Sequence, residues 1–290
     1  AAVSGPAILT GVVALAGILA LEARHAGRFR AEGRPWSGAR ARGPWPLAWL
    51  LLACVLVLTP LVVLVTWASG AEDVAGSLSG TKDAMLRSLG VALATAVVVA
   101  VLGVSLARRS LRLGSRARTA LLFVVLAPLA APGVLFAVGE IRLWNHPWNP
   151  LADAVYPSSA LLVLGLAGRY LPLGVLAARA LLARTDETPR WAASLAPVPA
   201  WRRWLMVDLR LDGPALGLAG LLGFLLAMRE LDMIVLIPAG SGTLAHHIFA
   251  LVHIAADELV ALYCVALVGL ALVPAAAARL LGAPGVPLDE

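Results

Sequence analysis

Long uncharged apolar runs alternate along this chain with short clusters of arginine, and that alternation constrains the fold more than any other feature. A helix that crosses a bilayer needs about 20 predominantly apolar residues. Seven segments meet or approach that length, at 5–22, 46–68, 86–107, 119–141, 158–180, 213–238 and 259–278. Prolines inside them, such as Pro60 and Pro132, are compatible with spanning helices because neighbours re-satisfy the freed backbone groups. With 60% hydrophobic and 14% charged residues, the chain lacks the polar shell that a soluble domain of 290 residues requires. The expected fold class is therefore an all-α polytopic membrane helical bundle.

The loops predict an orientation. Residues 24–43 hold six arginines against Glu32 alone, residues 108–118 hold five and no acid, and residues 184–212 hold five more. Arg279 follows the last span. The alternate loops 69–85, 142–157 and 239–258 hold only Lys82 and Arg142. Basic loops face the cytoplasm, which places the N-terminus outside and the C-terminus inside, in the cell (inner) membrane. The same rule accounts for the net charge of +6 without a nucleic-acid partner. Lys82 is the only lysine against 22 arginines, which reads as a coding bias. Cys54 and Cys264 fall inside apolar runs and read as small core hydrophobes, not as a disulfide or metal pair.

Residues 24–45 are polar and rich in Gly and Arg, as flexible linkers are. One span precedes them and six follow. The expected organisation is a preceding helix at 1–23, the linker 24–45 and a six-helix domain at 46–280. The chain begins Ala-Ala-Val-Ser, so a further N-terminal segment is expected.

The cytoplasmic stretch 185–210 is the least loop-like of the loops. Asp186 precedes Pro189 and a helical run at the spacing of an N-terminal cap region. Pro197 and Pro199 break it from a second short helix, 200–209, on which Trp201, Trp204, Leu205 and Asp208 recur at helical spacing. Two readings stay open from these residues: a knob that docks into a partner, or a helix pair lying on the membrane surface.

This stretch resembles the Glu-Ala-Ala-x3-Gly loop of binding-protein-dependent ABC transporter permeases. Trp191 takes the Glu place, Ala192 and Ala193 match, and Pro197 takes the Gly place. Trp201-Arg202 and Val207-Asp208-Leu209 match the later part, with Arg210 where Pro is usual. Elsewhere Ala131-Pro132-Gly133-Val134, Arg169-Tyr170-Leu171-Pro172, Arg229-Glu230-Leu231, Thr243-Leu244 and the 248–253 segment are similar to family motifs in the same order. The most similar subgroup is the iron(III)-type permeases, in which two six-helix halves are fused. The resemblance identifies this chain with the C-terminal half, preceded by one extra transmembrane helix from the first.

The resemblance implies that residues 185–210 couple to a dimeric ATPase subunit through Trp191, Ala192, Ala193, Pro197, Trp201 and Arg202. It also implies a second permease half, an extracytoplasmic solute-binding protein and a surround of membrane lipid as partners. ATP would be used by the ATPase subunit, with no cofactor bound by this chain. Loss of the Glu and Gly implies either weakened coupling through this half or docking through Trp201 and Arg202 instead.

Ionisable residues inside spans are costly and mark a path or a pair. Arg169 lies midway along its span. Arg229, Glu230 and Asp232, counted from a span start at 213, fall roughly 24 Å or more along a hydrocarbon core of about 30 Å, near the outer mouth. Arg229 and Asp232, three residues apart, are expected to pair on one helix face, with Glu230 turned about 100° away. These four residues read as intramembrane ion pairs or as part of a translocation path. His246, His247 and His253 read as a re-entrant or interfacial helix capping the outer vestibule; no carboxylate or thiol shares their spacing, and no metal site is expected.

No phosphate-binding Gly-x4-Gly-Lys-Ser/Thr motif occurs, so this chain has no such ATP site, and no hydrolase constellation marks it as an enzyme. The expected function is the permease subunit of an ABC importer, with ferric iron as the solute that the resemblance implies. Thiamine, phosphonate or another small anion is the alternative solute. A gradient-driven carrier or channel is the alternative class.

Overall fold

A computed structural model describes residues 45–280 apart from 72, 196, 255 and 256. The predicted first span and the linker up to residue 44 lie outside the described residues, as does the side chain of Cys54. The described residues form helices without a strand. The membrane-scale elements are α1 (Trp45–Ala68), α3 (Lys82–Arg112), α4 (Ser115–Ala130), α5 (Gly133–Trp144), α7 (Ser159–Leu182), α10 (Leu209–Arg229) and α13 (Asp257–Leu280). Between them lie the short α2 (Val74–Gly80), α6 (Ala152–Val155), α8 (Thr188–Leu195), α9 (Ala200–Arg203), α11 (Asp232–Leu236) and α12 (Leu244–Val252).

Four helical stretches are long and apolar enough to cross a bilayer: α3, α7, Trp201–Arg229 and Asp257–Pro274. The bent α4–α5 pair is a fifth by length and composition. Helix α1 adds 24 residues without a charge, about 36 Å at 1.5 Å per residue. The chain is an all-α membrane helical bundle.

Helices α3, α7 and α10 form its centre. Arg87 of α3 meets Ser159 at the start of α7, while Arg108 near the end of α3 meets Asp212 near the start of α10. Helices α3 and α7 therefore run parallel, and α10 runs against both. Lipid tails are as apolar as leucine, so close backbone approach replaces hydrophobic drive between helices in a bilayer. Small residues supply that approach here. A Cβ on Gly174 would come within 2.5 Å of Val99, and one on Gly223 within 3.0 Å of it. Val99 is fully buried between the two helices. Helix α13 packs against α1 and α12 at the side of this core.

Three expected elements come out differently. The span 119–141 is broken: α4 and α5 meet at 105°. Pro132 causes the break by driving the preceding residue out of the helical region, and Ala131 is extended at φ −88°, ψ 129°. The span 213–238 is displaced. Helix continues from Trp201 to Arg229, and the chain then turns extended at Glu230. The second short helix, 200–209, is accordingly not separate. It passes through one widened π turn, Trp204–Asp208, directly into α10. The break at Pro197–Pro199 is present, between α8 and α9.

Candidate functional site

Charged side chains gather at two places, one halfway along the bundle and one at the end carrying the 185–210 loop. The first lies where the two interrupted spans meet. Arg169 is the eleventh of the 24 residues of α7. Its Nε stands 3.7 Å from Glu230 Oε2, and its Nη1 donates to the carbonyl of Ala131 at 3.4 Å. That carbonyl ends α4, where helix geometry leaves acceptors without an intrahelical partner. Glu230 ends α10. A single guanidinium thus sits against the C-terminal ends of two broken helices, where the helix dipoles are negative and favour a cation.

The neighbouring Tyr170 donates its hydroxyl to Glu230. Gly133, the first residue of α5, leaves room for the same group: a Cβ there would lie 2.7 Å from Asp232 Oδ2 and 3.1 Å from Arg169 Nη1. Glu230 is 7% exposed, yet its Oε1 has no hydrogen-bond partner among the described residues. An unpaired buried carboxylate oxygen is costly. Glu230 thus has one oxygen engaged by Tyr170 and Arg169 and one unengaged among the described residues.

This geometry revises the expected pairing. Because the helix stops at Arg229, Arg229 and Asp232 do not share a face; Arg229 is exposed and Asp232 approaches Gly133. Glu230 lies level with Arg169, halfway along α7, instead of near the outer mouth. The histidines lie on or beside α12. Thr243 caps that helix by accepting from the His246 amide, and Ser88 Oγ accepts from Leu244 N at 2.8 Å. The rings of His247 and His253 bond to the carbonyls of Thr243 and Phe249, one turn back. Among the described residues no three His, Cys, Asp or Glu side chains gather as a metal site.

The second cluster binds the loop to the bundle. Arg190 of α8 reaches three carboxylates: Glu187 Oε1 at 2.5 Å, Asp208 Oδ1 at 3.2 Å and Asp212 Oδ1 at 2.6 Å. Arg108 of α3 contacts Asp212 through Nη2 and through Nε at 3.1 Å. Asp212, 4% exposed, accepts from both arginines. Helix α8 follows α7 in the chain but is tied to α3 and α10. At its start Asp186 accepts from the amide and hydroxyl of Thr188 at 2.9 and 2.7 Å. Those two bonds hold the Asp186 carboxyl below the usual carboxylate range.

The predicted loop residues sit on the outside of this clamp. Trp191, Ala192, Pro197, Trp201 and Arg202 are exposed, and Ala193 is half-buried. Trp191 is 73% exposed and Leu195 88%, with Trp204, Leu205 and Met206 beside them. The knob therefore presents an apolar, tryptophan-rich surface while its inner side is fixed by ion pairs.

Sequence reasoning missed Tyr170 and the clamp formed by Arg108, Arg190, Glu187 and Asp212. Asp208 entered only as part of a helical spacing and of a motif match. A signal for the clamp was present: Asp208 and Asp212, four apart, fall on one face at the start of an otherwise apolar helix.

No family model matches the chain, and no curated protein matches it in sequence. Among solved structures it is similar to a chain in the crystal structure of a bacterial alginate ABC transporter in complex with alginate pentasaccharide-bound periplasmic protein. The TM-score is 0.62 at 12% identity, over 82% of this chain and 95% of that one. The likeness is one of fold.

Proposed function

We propose that this chain is the membrane-spanning permease subunit of an ABC importer, moving a solute delivered by an extracytoplasmic binding protein and powered by a separate ATPase subunit. The observation that carries the reading is the loop knob. Helices α8 and α9 present an exposed apolar face, while Arg190 ties α8 into α10 through Asp208 and Asp212. The match in fold to a chain of an ABC transporter supports it.

A displacement of α8 is passed to α10, which runs without a break from the loop to Glu230. Glu230 in turn bears on Arg169 and so on the α4–α5 break. In this reading the basic end is cytoplasmic, and the ATPase dimer acts on Trp191, Ala192, Ala193, Pro197, Trp201 and Arg202. ATP binding to the partner rocks the bundle, and Arg169, Glu230 and Asp232 line the path that opens between the broken helices. Ferric iron is the solute in keeping with the resemblance to iron(III)-type permeases; thiamine, phosphonate or another small anion is the alternative.

A gradient-driven carrier is the second reading, favoured by the Arg169–Glu230 pair at mid-depth, the place where such carriers couple to ions. Reconstitution in proteoliposomes separates the two. The importer reading expects uptake only with ATPase, ATP and binding protein present. Uptake that follows a proton or sodium gradient without any ATPase overturns it.

A further inference from the structure

Beside the clamp, the ends of α3 and α7, helix α8 and the stretch from Arg203 to Asp208 line a cleft of about 990 Å³. Four arginines line it: Arg108, Arg112, Arg190 and Arg203. Arg108 and Arg190 are engaged by the carboxylates of Glu187, Asp208 and Asp212. Arg112 and Arg203 have no carboxylate within 4 Å among the described residues, and each comes from a different element. Between the arginines the lining is mixed: Leu111, Leu182, Val207 and Trp191 stand beside Thr185, Ser194 and the carboxylates of Glu187 and Asp208, which the clamp arginines already engage.

We infer that this cleft holds the headgroup phosphate of an anionic phospholipid, with Arg112 and Arg203 as its ligands. A phosphodiester offers acceptor oxygens to two guanidinium groups. Basic pockets between transmembrane helices at a membrane surface take anionic headgroups in this way. The cleft lies at the ends of α3 and α7, two helices long and apolar enough to cross a bilayer, where headgroups are within reach. Bound there, the lipid bridges Arg203 of the loop to Arg112 of α3, and so fastens the knob to the bilayer on the side that the ion pairs leave open. The inference stands whether or not the chain is an importer subunit.

The test uses the full chain in nanodiscs of phosphatidylcholine and phosphatidylglycerol, with retained lipid read by native mass spectrometry. The wild type is expected to hold phosphatidylglycerol in preference to phosphatidylcholine. The Arg112→Ala/Arg203→Ala variant should hold it at least roughly tenfold more weakly, and Arg112→Lys/Arg203→Lys should keep most of the preference. Neither arginine makes an ion pair among the described residues, so the melting temperature should not move; Arg112→Ala alone, at an exposed position, gives a second variant. Unchanged retention in the alanine variants, or equal retention of both lipids by the wild type, overturns the inference. Displacement of the lipid by millimolar inorganic phosphate reassigns the cleft to a free anion, and overturns it too. So does a double variant that keeps its lipid but loses capture of an ATPase subunit, which makes the cleft a protein-docking face.

Discussion

The two arginine–carboxylate clusters use the same chemistry and differ in how many charges share it. At the loop end, two arginines meet three carboxylates, and Asp212 is shared between them. Each charge there has an opposite charge beside it, so the arrangement behaves as a joint. Halfway along the bundle, one arginine serves two helix ends, and Glu230 keeps one oxygen without a partner among the described residues. That cluster has capacity for another contact. In the importer reading proposed above, the first stays formed and the second changes partners.

Removing the shared acid tests the joint most severely. Asp212→Ala leaves two guanidinium groups short of a carboxylate, and loss of one partner from a buried pair costs about 3–5 kcal/mol. A fall in thermal stability of several degrees in detergent is expected, with the loop more open to protease. The mid-depth cluster should respond the opposite way. Glu230→Gln keeps the shape, and removes the charge facing Arg169. Uptake should drop at least roughly tenfold while the melting temperature changes little. If the two variants lose stability equally and both transport, the distinction between joint and moving contact fails.

Tyr170→Phe sharpens the same comparison at smaller scale. It removes one hydrogen bond to Glu230, worth about 1 kcal/mol, and leaves the Arg169 contact in place. A modest loss of uptake, well short of that in Glu230→Gln, is expected in the same assay. The smallest effect belongs to the exposed cap. The folded-state pKa of Asp186 is depressed, so its contribution is present above the ordinary carboxylate pKa of about 3.9 and is lost as pH falls through the lower folded value. Asp186→Asn should therefore be slightly less stable than wild type from neutral pH down to about pH 5, with the difference shrinking in acid as the wild type loses the contribution.

The pattern of spans was legible because bilayer thickness imposes a length and a polarity that any sequence must show. The breaks were less so. Pro60 lies inside an unbroken α1 and Pro172 inside an unbroken α7, whereas Pro132 divides α4 from α5. The difference is not local: Arg169 accompanies the Pro132 break by binding the freed Ala131 carbonyl, and that partner is 38 residues away. The clamp was hidden for a related reason. Arg108 and Arg190 sit in basic loops and read as topology signals, and their shared partner Asp212 is distant in sequence from both. The depth of Glu230 was misjudged because a count along its own span carries no information about Arg169, the partner distant in sequence that fixes its level. Exposure of Trp191 and Trp201 followed from their place in a loop.

The central claim is that a separate ATPase subunit acts on the exposed face of the α8–α9 knob. Co-expression of the full chain with its ATPase, followed by affinity purification through this chain, tests it directly, with Leu195→Asp/Trp201→Asp as the altered face. The account predicts that the wild type retains the ATPase and that the variant loses it at an unchanged melting temperature; equal retention by both would contradict it.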